Sequence, residues 1–143
     1  MSSLCLAAGA MAVSLSWQAF TLIWTHSVEK IEWQEDYSID GKYLQLTAAR
    51  VKGTGAGMEI PPRSIFAGGM YHYWPGVPAL DKLLLGRSKQ VKDYTICWEL
   101  GCMPLSDLIP RDENDTPVEV FACAARGARR AASPYPTSER TIP

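Results

Sequence analysis

Apolar and polar residues alternate along two consecutive segments, residues 20–28 and residues 31–40. In the second segment every even-numbered residue is polar, whereas the odd-numbered residues are mostly apolar. A period of two predicts β-strands, and one wholly polar side predicts a sheet with a solvated face and a packed face. The packed face is expected to contain Phe20, Leu22, Trp24 and Val28 of the first segment and Ile31, Trp33, Tyr37 and Ile39 of the second, together with His26 and Glu35.

A third strand is predicted after Asp40 and Gly41, because an Asp-Gly pair accepts the positive φ angles of a two-residue type I′ hairpin turn. The register that this turn sets places the apolar residues of both strands on one face, so the turn and the hydrophobic pattern agree. The sequence therefore predicts a three-stranded antiparallel meander. The expected facing pairs are Ile39–Lys42, Tyr37–Leu44, Glu35–Leu46 and Trp33–Ala48.

The connection between the first two strands has two interpretations. A two-residue turn at Glu29 and Lys30 would bring Trp24 opposite Glu35, but Glu-Lys is poor turn chemistry, so a longer loop is the alternative. With the short turn, His26 and Glu35 become diagonal neighbours on the packed face. Such a pair is either a satisfied polar pair in the core or at its rim, or part of a ligand site or active site.

A glycine-rich segment follows the third strand, with Gly53, Gly55 and Gly57 at alternate positions. A dinucleotide-binding fingerprint requires a helix directly afterwards, and the two prolines at residues 61–62 exclude that helix. A P-loop is excluded because its Gly-Lys-Ser/Thr sequence is absent. The segment is either a tight structural loop or a backbone nest for a carboxylate or phosphate.

The rest of the chain continues in short strand-like segments, and no segment has a helical period over a dozen residues. The predicted fold is mainly β, a small antiparallel sandwich or partly open barrel that starts with the meander. We assign residues 20–123 to a single β domain. Residues 124–143, rich in Ala, Arg, Ser and Pro, are predicted to be a disordered tail.

The amino-terminal residues 1–19 are predicted to be a signal peptide or apolar leader, because residues 4–15 form an uncharged, mostly apolar run of suitable length. The alternatives are an uncleaved anchor over residues 4–24 and a misassigned start inside a longer leader. The leader predicts export, with the chain either released or tethered by an uncleaved leader.

Four cysteines are compatible with disulfide bonding in an exported protein. Cys97 and Cys102 flank a four-residue loop and are the predicted disulfide, with Cys123 as an alternative partner for one of them. Cys5 would be removed with the leader. A formal net charge of −1 lacks the positive field that nucleic-acid binding requires, so no nucleic-acid partner is expected.

Candidate catalytic groups are few. His26 and Ser27 are adjacent in a strand and point to opposite faces, which argues against a triad of these two residues with Glu35. His26, Glu35 and His72 are metal-ligand types without a diagnostic spacing. We therefore predict no cofactor, no metal and no catalytic residue. A small hydrolase or metal-dependent enzyme using His26 and Glu35 is the alternative, and a purely structural envelope protein is a third possibility.

Two motifs identify a family resemblance: WTHSVEK at residues 24–30, followed by Trp33 and Glu35, and GTGAGME at residues 53–59. Together they resemble the bacterial family catalogued as domain of unknown function 1850. The likeness runs over residues 20–62 and continues more weakly to residue 75 and over residues 97–105.

The resemblance implies a small exported periplasmic protein whose gene often lies beside those of tripartite ATP-independent periplasmic (TRAP) transporters of the TAXI type. It implies a non-enzymatic accessory of solute uptake that binds the membrane subunit, the TAXI solute-binding protein or a small carboxylate. The expected contact residues lie in the motif loops, because loops held by a rigid sheet commonly carry function. They are His26, Ser27, Glu29, Lys30, Glu35, Gly53, Gly55, Gly57, Met58 and Glu59.

Overall fold

The computed structural model describes residues 2–25, 30–52, 62–124 and 139–142 and is mainly β, as predicted. Within these ranges the chain forms twelve strands and one short 3-10 turn at Leu105–Asp107. The strands are β1 (Ser2–Ala8), β2 (Met11–Leu15), β3 (Ala19–Thr25), β4 (Glu32–Asp40), β5 (Tyr43–Lys52), β6 (Ile65–Ala67), β7 (Met70–Tyr73), β8 (Lys82–Leu85), β9 (Thr95–Trp98), β10 (Gly101–Pro104), β11 (Val118–Ala124) and β12 (Glu139–Ile142).

The strands form two sheets that share one hydrophobic core. The five-stranded sheet has the order β12-β8-β11-β1-β2, and the seven-stranded sheet has the order β10-β9-β3-β4-β5-β7-β6. β12 runs parallel to β8, while the other pairings among the described strands are antiparallel. The sheets do not close into a barrel, so the sandwich prediction is confirmed. Leucines of β1 and β8 face aromatic and aliphatic residues of β3 and β5 across the core.

The predicted meander is present as β3, β4 and β5, but the register of its second hairpin was predicted wrongly. The turn consists of Gly41 and Lys42, one position later than expected, because Gly41 is the residue that takes the positive φ of 62°. With this turn, each residue of β4 near the hairpin faces a residue of β5 two positions later than expected. A shift of two positions keeps the same face, so Tyr37 and Leu44 still lie on the packed face. The observed pairs are Ile39–Leu44, Tyr37–Leu46, Glu35–Ala49 and Trp33–Val51.

A β-bulge explains why the last two pairs depart further from the prediction. The register shifts between Asp36 and Tyr37, and Thr47 is the extra residue on β5. The Thr47 hydroxyl donates a hydrogen bond to the Asp36 carbonyl oxygen at 3.1 Å. An extra residue inverts the alternation beyond it, so Ala49 and Val51 become buried and Ala48 leaves the packed face.

The first hairpin has the longer connection that was the alternative. Thr25 pairs with Glu32, so residues 26–31 lie between the strands. Trp24 is therefore opposite Trp33, and the two rings stack with centroids 5.5 Å apart. Glu35 is opposite Leu22, so the expected Trp24–Glu35 facing pair and the diagonal placement derived from it are corrected.

The segment predicted to be a leader forms β1 and β2 in this structure. β1 lies between β2 and β11, and its Leu4 and Leu6 are fully buried. Gly9, with φ of 59°, begins the two-residue connection between the two strands. Two short apolar runs joined by a glycine turn match a β-hairpin as well as a leader, so the apolar pattern by itself does not distinguish the two.

The carboxyl-terminal segment was predicted to be disordered, and this is wrong for residues 139–142, which form β12. β12 pairs with β8, and its Ile142 is buried in the core. Residues 125–138 of the expected tail lie outside the described residues. Four residues are too short for a strand to be recognised from periodicity, since β12 depends on a partner far away in the chain.

Two disulfides connect all four cysteines. The predicted bond between Cys97 and Cys102 is present and joins directly facing residues of β9 and β10. Cys123 is bonded to Cys5 and is therefore not the alternative partner of the other two. Two disulfides fit an exported protein. The described residues include no helix with the length and apolar character needed to cross a membrane.

Candidate functional site

Among the predicted contact residues that the structure describes, Glu35 lies deep in the core. Its residue exposure is 1%, and it lies on the packed face of β4. One carboxylate oxygen, Oε2, is 2.6 Å from Nη2 of Arg140 on β12. The other oxygen, Oε1, accepts a hydrogen bond of 3.2 Å from the Trp24 indole Nε1. A buried carboxylate requires such partners, because desolvation of an unpaired charge costs several kcal/mol.

The surroundings of this ion pair keep the neighbouring groups in defined protonation states. Burial raises the pKa of Tyr73 to about 12, and the negative charge of Glu35 adds to that increase. Burial and Glu35 likewise raise the pKa of Tyr37. Burial acts to lower the pKa of Arg140, but the Glu35 carboxylate contributes to a net increase. Both tyrosines are therefore neutral and Arg140 is charged at physiological pH.

A cavity of about 310 Å³ opens beside the ion pair. The Arg140 side chain is 33% exposed, so the cation is accessible while its carboxylate partner is not. Aromatic rings and proline rings form much of the wall, a lining typical of binding clefts. The lining residues are Glu35, Leu46, Pro62, Tyr73, Trp74, Pro75 and Arg140.

Trp74 of the cleft wall directly follows β7, which pairs with β6 at the margin of the sheet. We call this margin the aromatic edge; it comprises Ile65, Phe66, Tyr71 and Trp74, with Ile65 on the opposite face of β6 from Phe66. Ile65, Phe66 and Trp74 are 57%, 59% and 63% exposed. The rings of Phe66 and Tyr71 lie with centroids 4.8 Å apart. Ile65 and Phe66 belong to β6, the outermost strand of the seven-stranded sheet on this side. Large apolar side chains on a sheet edge are unusual unless something covers them.

Most of the other predicted contact residues lie outside the described residues; they are His26, Ser27, Glu29, Gly53, Gly55, Gly57, Met58 and Glu59. The strand ends that carry both motif loops are described and are neighbours, because Trp24 pairs with Trp33 and Trp33 pairs with Val51. Lys30 is described; it is exposed and has a φ of 60°. Such a backbone conformation is uncommon for a residue other than glycine.

The metal hypothesis that combined Glu35 with His72 is wrong in its geometry. Tyr73 is the residue of β7 aligned with Ala49 and hence with Glu35, so the adjacent His72 lies on the opposite face of the sheet. The His72 ring Nε2 is 3.1 Å from the Ala67 carbonyl oxygen. Across the described ranges, no group of three or more His, Cys, Asp or Glu side chains is arranged to hold a metal ion.

Sequence reasoning missed the partners of Glu35 and a second cavity. The need for a cation near Glu35 was recognisable, but Arg140 had been assigned to the tail. The second cavity, of about 270 Å³, contains Trp24, Arg87, Lys92 and Arg111 in its wall. No spacing in the sequence links the three cationic residues, because the loop that carries two of them meets the third only in the folded chain.

The comparisons with known proteins yield one match. A family model described as "Domain of unknown function (DUF1850)" matches residues 20–105, which is more than half of the chain. The matched region includes Trp24, Glu35, Tyr73 and Arg87, whereas Arg140 lies beyond it. No curated protein and no solved structure matches the chain.

Proposed function

The chain belongs to the family described as domain of unknown function 1850, and from this membership we propose that it is an exported, non-enzymatic accessory protein of a TRAP-type solute uptake system of the TAXI class. It acts in the periplasm by binding a transporter component, either the TAXI solute-binding protein or the membrane subunit. The two disulfides support export, because such bonds persist in oxidising compartments.

The aromatic edge is the observation that carries the proposal of a protein partner. Ile65, Phe66 and Trp74 each expose more than half of their surface on one margin of the molecule. Aromatic residues are enriched in the buried centres of protein interfaces, where they supply much of the binding energy. Arg140, accessible in the adjoining cleft, adds a cation that a partner carboxylate can reach.

The position of this surface also agrees with the motif loops expected to make contact. Pro62, three positions after the GTGAGME motif, lines the cleft, and β6 begins three residues later. Lys30 lies in the connection from β3 to β4, on the strand ends that neighbour the end of β5. The expected contact residues and the aromatic edge are thus connected through the chain.

An enzymatic role for Glu35 receives less support. Both carboxylate oxygens are already engaged, one by Arg140 and one by Trp24. A general base or metal ligand needs an oxygen that can reach substrate or metal. The alternative of a hydrolase or metal-dependent enzyme using His26 and Glu35 therefore ranks behind a binding role.

Binding of the full chain to each transporter component tests the proposal. We expect a purified TAXI solute-binding protein or membrane subunit from the same organism to bind the chain in a biosensor assay. Phe66→Ser and Trp74→Ala should each weaken that binding at least about tenfold, as truncation of an interface aromatic commonly does. Leu100→Ser is the matched control, since Leu100 is exposed but lies at the β9–β10 turn.

The outcome in cells provides the second readout. A deletion strain should lose TAXI-dependent solute uptake and regain it with the wild-type chain but not with the Trp74→Ala variant. Normal uptake in the deletion strain, together with no binding to either component, would overturn the proposal. Binding that Phe66→Ser and Trp74→Ala leave unchanged would place the contact elsewhere and contradict the role of the aromatic edge.

A further inference from the structure

The second cavity is built around a buried guanidinium. Arg87 directly follows Gly86 after β8, and its side chain is only 1% exposed. Within the described part of the chain, its Nε and Nη2 atoms have no hydrogen-bond partner. Its nearest acidic atom is Asp93 Oδ1, 3.5 Å from Nε. This separation is well beyond the 2.7–2.9 Å range of a charge-assisted hydrogen bond, so Asp93 leaves the donors of Arg87 largely unused.

A buried guanidinium whose N–H groups make no hydrogen bonds destabilises the fold, because the free-energy cost of its desolvation is not fully offset. Burial is the main reason that the pKa of Arg87 lies below its ordinary value; the charge of Asp93 acts against this decrease, and the charge of Arg111 adds to it. A guanidinium remains protonated at physiological pH despite such a shift. Arg87 thus brings a charged guanidinium with unsatisfied N–H groups to the wall of the cavity, where a bound anion would offset the cost of its burial.

Arg111 and Asp93 form the frame of this cavity. Arg111 Nη1 donates to the Ser88 carbonyl oxygen at 2.8 Å, and its Nη2 donates to the Val91 carbonyl oxygen at 3.0 Å. Asp93 Oδ2 accepts a hydrogen bond from the Ser106 backbone N–H at 2.9 Å. These bonds fix the backbone of the segment after β8. They also occupy N–H donors of Arg111, which are therefore not available to an anion in the cavity.

The remaining wall combines a rim cation with apolar surface. Lys92 lines the cavity and is exposed, so its ammonium group can reach a ligand at the entrance. Trp24, Val91 and Tyr94 supply apolar wall. Trp24 is held in place by its stack on Trp33 and by its hydrogen bond to Glu35. The cavity thus offers cations at its floor and rim and an aromatic side wall.

We propose that this cavity binds a small organic carboxylate, with the carboxylate group held by Arg87 and Lys92 and the apolar body of the ligand against Trp24. A planar carboxylate matches the fork of a guanidinium. The apolar wall favours an anion with a hydrocarbon or aromatic body over a bare inorganic anion. The volume of about 270 Å³ suits a ligand of metabolite size. This site is separate from the aromatic edge and does not depend on binding to a transporter.

Calorimetric titration of the full chain with benzoate, acetate and inorganic phosphate tests the site. We expect benzoate to bind most tightly, acetate more weakly and phosphate least, and we expect the melting temperature to rise with the logarithm of the benzoate concentration above its Kd. Arg87→Lys, which keeps the charge but loses the fork, should weaken benzoate binding at least about tenfold. Lys92→Gln should weaken it about threefold to tenfold, since the contact at the rim is solvated.

Two further variants separate loss of the ligand from loss of the fold. Lys89→Gln removes the same charge from the same loop, but Lys89 does not line the cavity, so binding should stay unchanged. Val91→Glu leaves Arg87 in place and adds a negative charge to the wall, so it should abolish benzoate binding. If Arg87→Lys fails to fold, benzoate binding by Val91→Glu and Lys92→Gln tests the site instead.

The proposal is overturned if benzoate neither releases heat nor raises the melting temperature of the full chain. It is also overturned if phosphate binds as tightly as benzoate, or if Lys89→Gln weakens binding as much as Lys92→Gln does. Different variants test the proposal of binding to a transporter component, so the two proposals can fail independently. Trp74→Ala should leave benzoate binding unchanged, and Val91→Glu should leave binding to the transporter component unchanged.

Discussion

Glu35 and Arg140 are 105 positions apart in the chain, and their side chains form an ion pair of 2.6 Å in the core between the two sheets. Glu35 lies on β4, inside the seven-stranded sheet, whereas Arg140 lies on β12, at the edge of the other sheet. The pair therefore ties the carboxyl-terminal strand to the opposite layer of the sandwich. Trp24, which donates to the same carboxylate, extends this link to the wall of the Arg87 cavity.

Replacement of Arg140 should destabilise the fold. Arg140→Gln removes the charge partner of a buried carboxylate, and we expect the free energy of unfolding to fall by about 2–4 kcal/mol, less than for a fully buried pair because Arg140 is partly exposed. Urea denaturation at pH 7 measures the loss. Glu139→Gln, on the same strand but at the surface, should change stability by less than about 1 kcal/mol.

A double variant tests the cause of that loss. Glu35→Gln together with Arg140→Gln removes both charges, and the pair of amides should recover part of the stability lost in Arg140→Gln alone. The unpaired carboxylate would not be the cause if the double variant lost more free energy of unfolding than the two single variants lose when their losses are added.

The two disulfides should contribute unequally to stability. Cys5 and Cys123 are separated by 118 positions and Cys97 and Cys102 by 5. In the chain-entropy model, closure of the longer loop is worth about 5 kcal/mol and closure of the shorter one about 2 kcal/mol. Denaturant unfolding of Cys5→Ser/Cys123→Ser and of Cys97→Ser/Cys102→Ser compares the two bonds directly.

Peptide mapping provides an independent check of the first disulfide. Non-reduced digests of the protein purified from cell envelopes should contain a peptide that links Cys5 to Cys123. A mature chain whose first residue lies beyond Cys5, with a free thiol at Cys123, would be the contrary result.

Acid should weaken the contact between Asp36 and Arg50. Two hydrogen bonds of 2.8 Å from Arg50 are the main cause that holds the pKa of Asp36 below its ordinary value of 3.8. The stabilisation is therefore complete above about pH 5, where Asp36 would be ionised even in the unfolded chain, and it declines as the pH falls through 3.8 and then through the lowered native pKa. Both side chains are partly exposed, so the contribution is about 1 kcal/mol or less.

Arg50→Gln provides the measurement of this effect. When the pH falls from 5 into the acid range, the free energy of unfolding of the variant should decrease less than that of the wild type, because the pKa of Asp36 in the variant lies closer to its ordinary value. Lys52→Gln removes an exposed cation from the same strand and should keep the pH dependence of the wild type. Identical pH profiles for Arg50→Gln and the wild type would refute the assignment.

Replacement of Lys30 by glycine should not lower the free energy of unfolding. Its φ of 60° costs a non-glycine residue about 1 kcal/mol, so Lys30→Gly should unfold at an equal or slightly higher denaturant concentration. If Lys30 contacts a partner, as the motif predicts, the same variant should lose binding to the transporter component. Reduced stability with unchanged binding would argue for a purely structural role of this residue.

Local patterns were sufficient for those parts of the fold that depend on neighbours in the chain. The alternation over residues 20–24 and 33–46 predicted which side chains of the meander are packed, because a strand side chain points to a face according to its position alone. Cys97 and Cys102 could be paired because five positions and one hairpin bring them together. The register was less secure, since one extra residue at Thr47 reverses the alternation without leaving a mark in composition.

The partners that complete the sites came only from the tertiary structure. Glu35 was recognised as a buried acid, but its cation lies on a four-residue strand that exists only because β8 offers an edge to pair with. The Arg87 cavity likewise requires Arg111 to reach back across the loop after β8. The sequence by itself thus determined the β class, the packed face of the meander and the family. Long-range pairing decided the rest, because contacts between distant segments leave no periodic pattern along the chain.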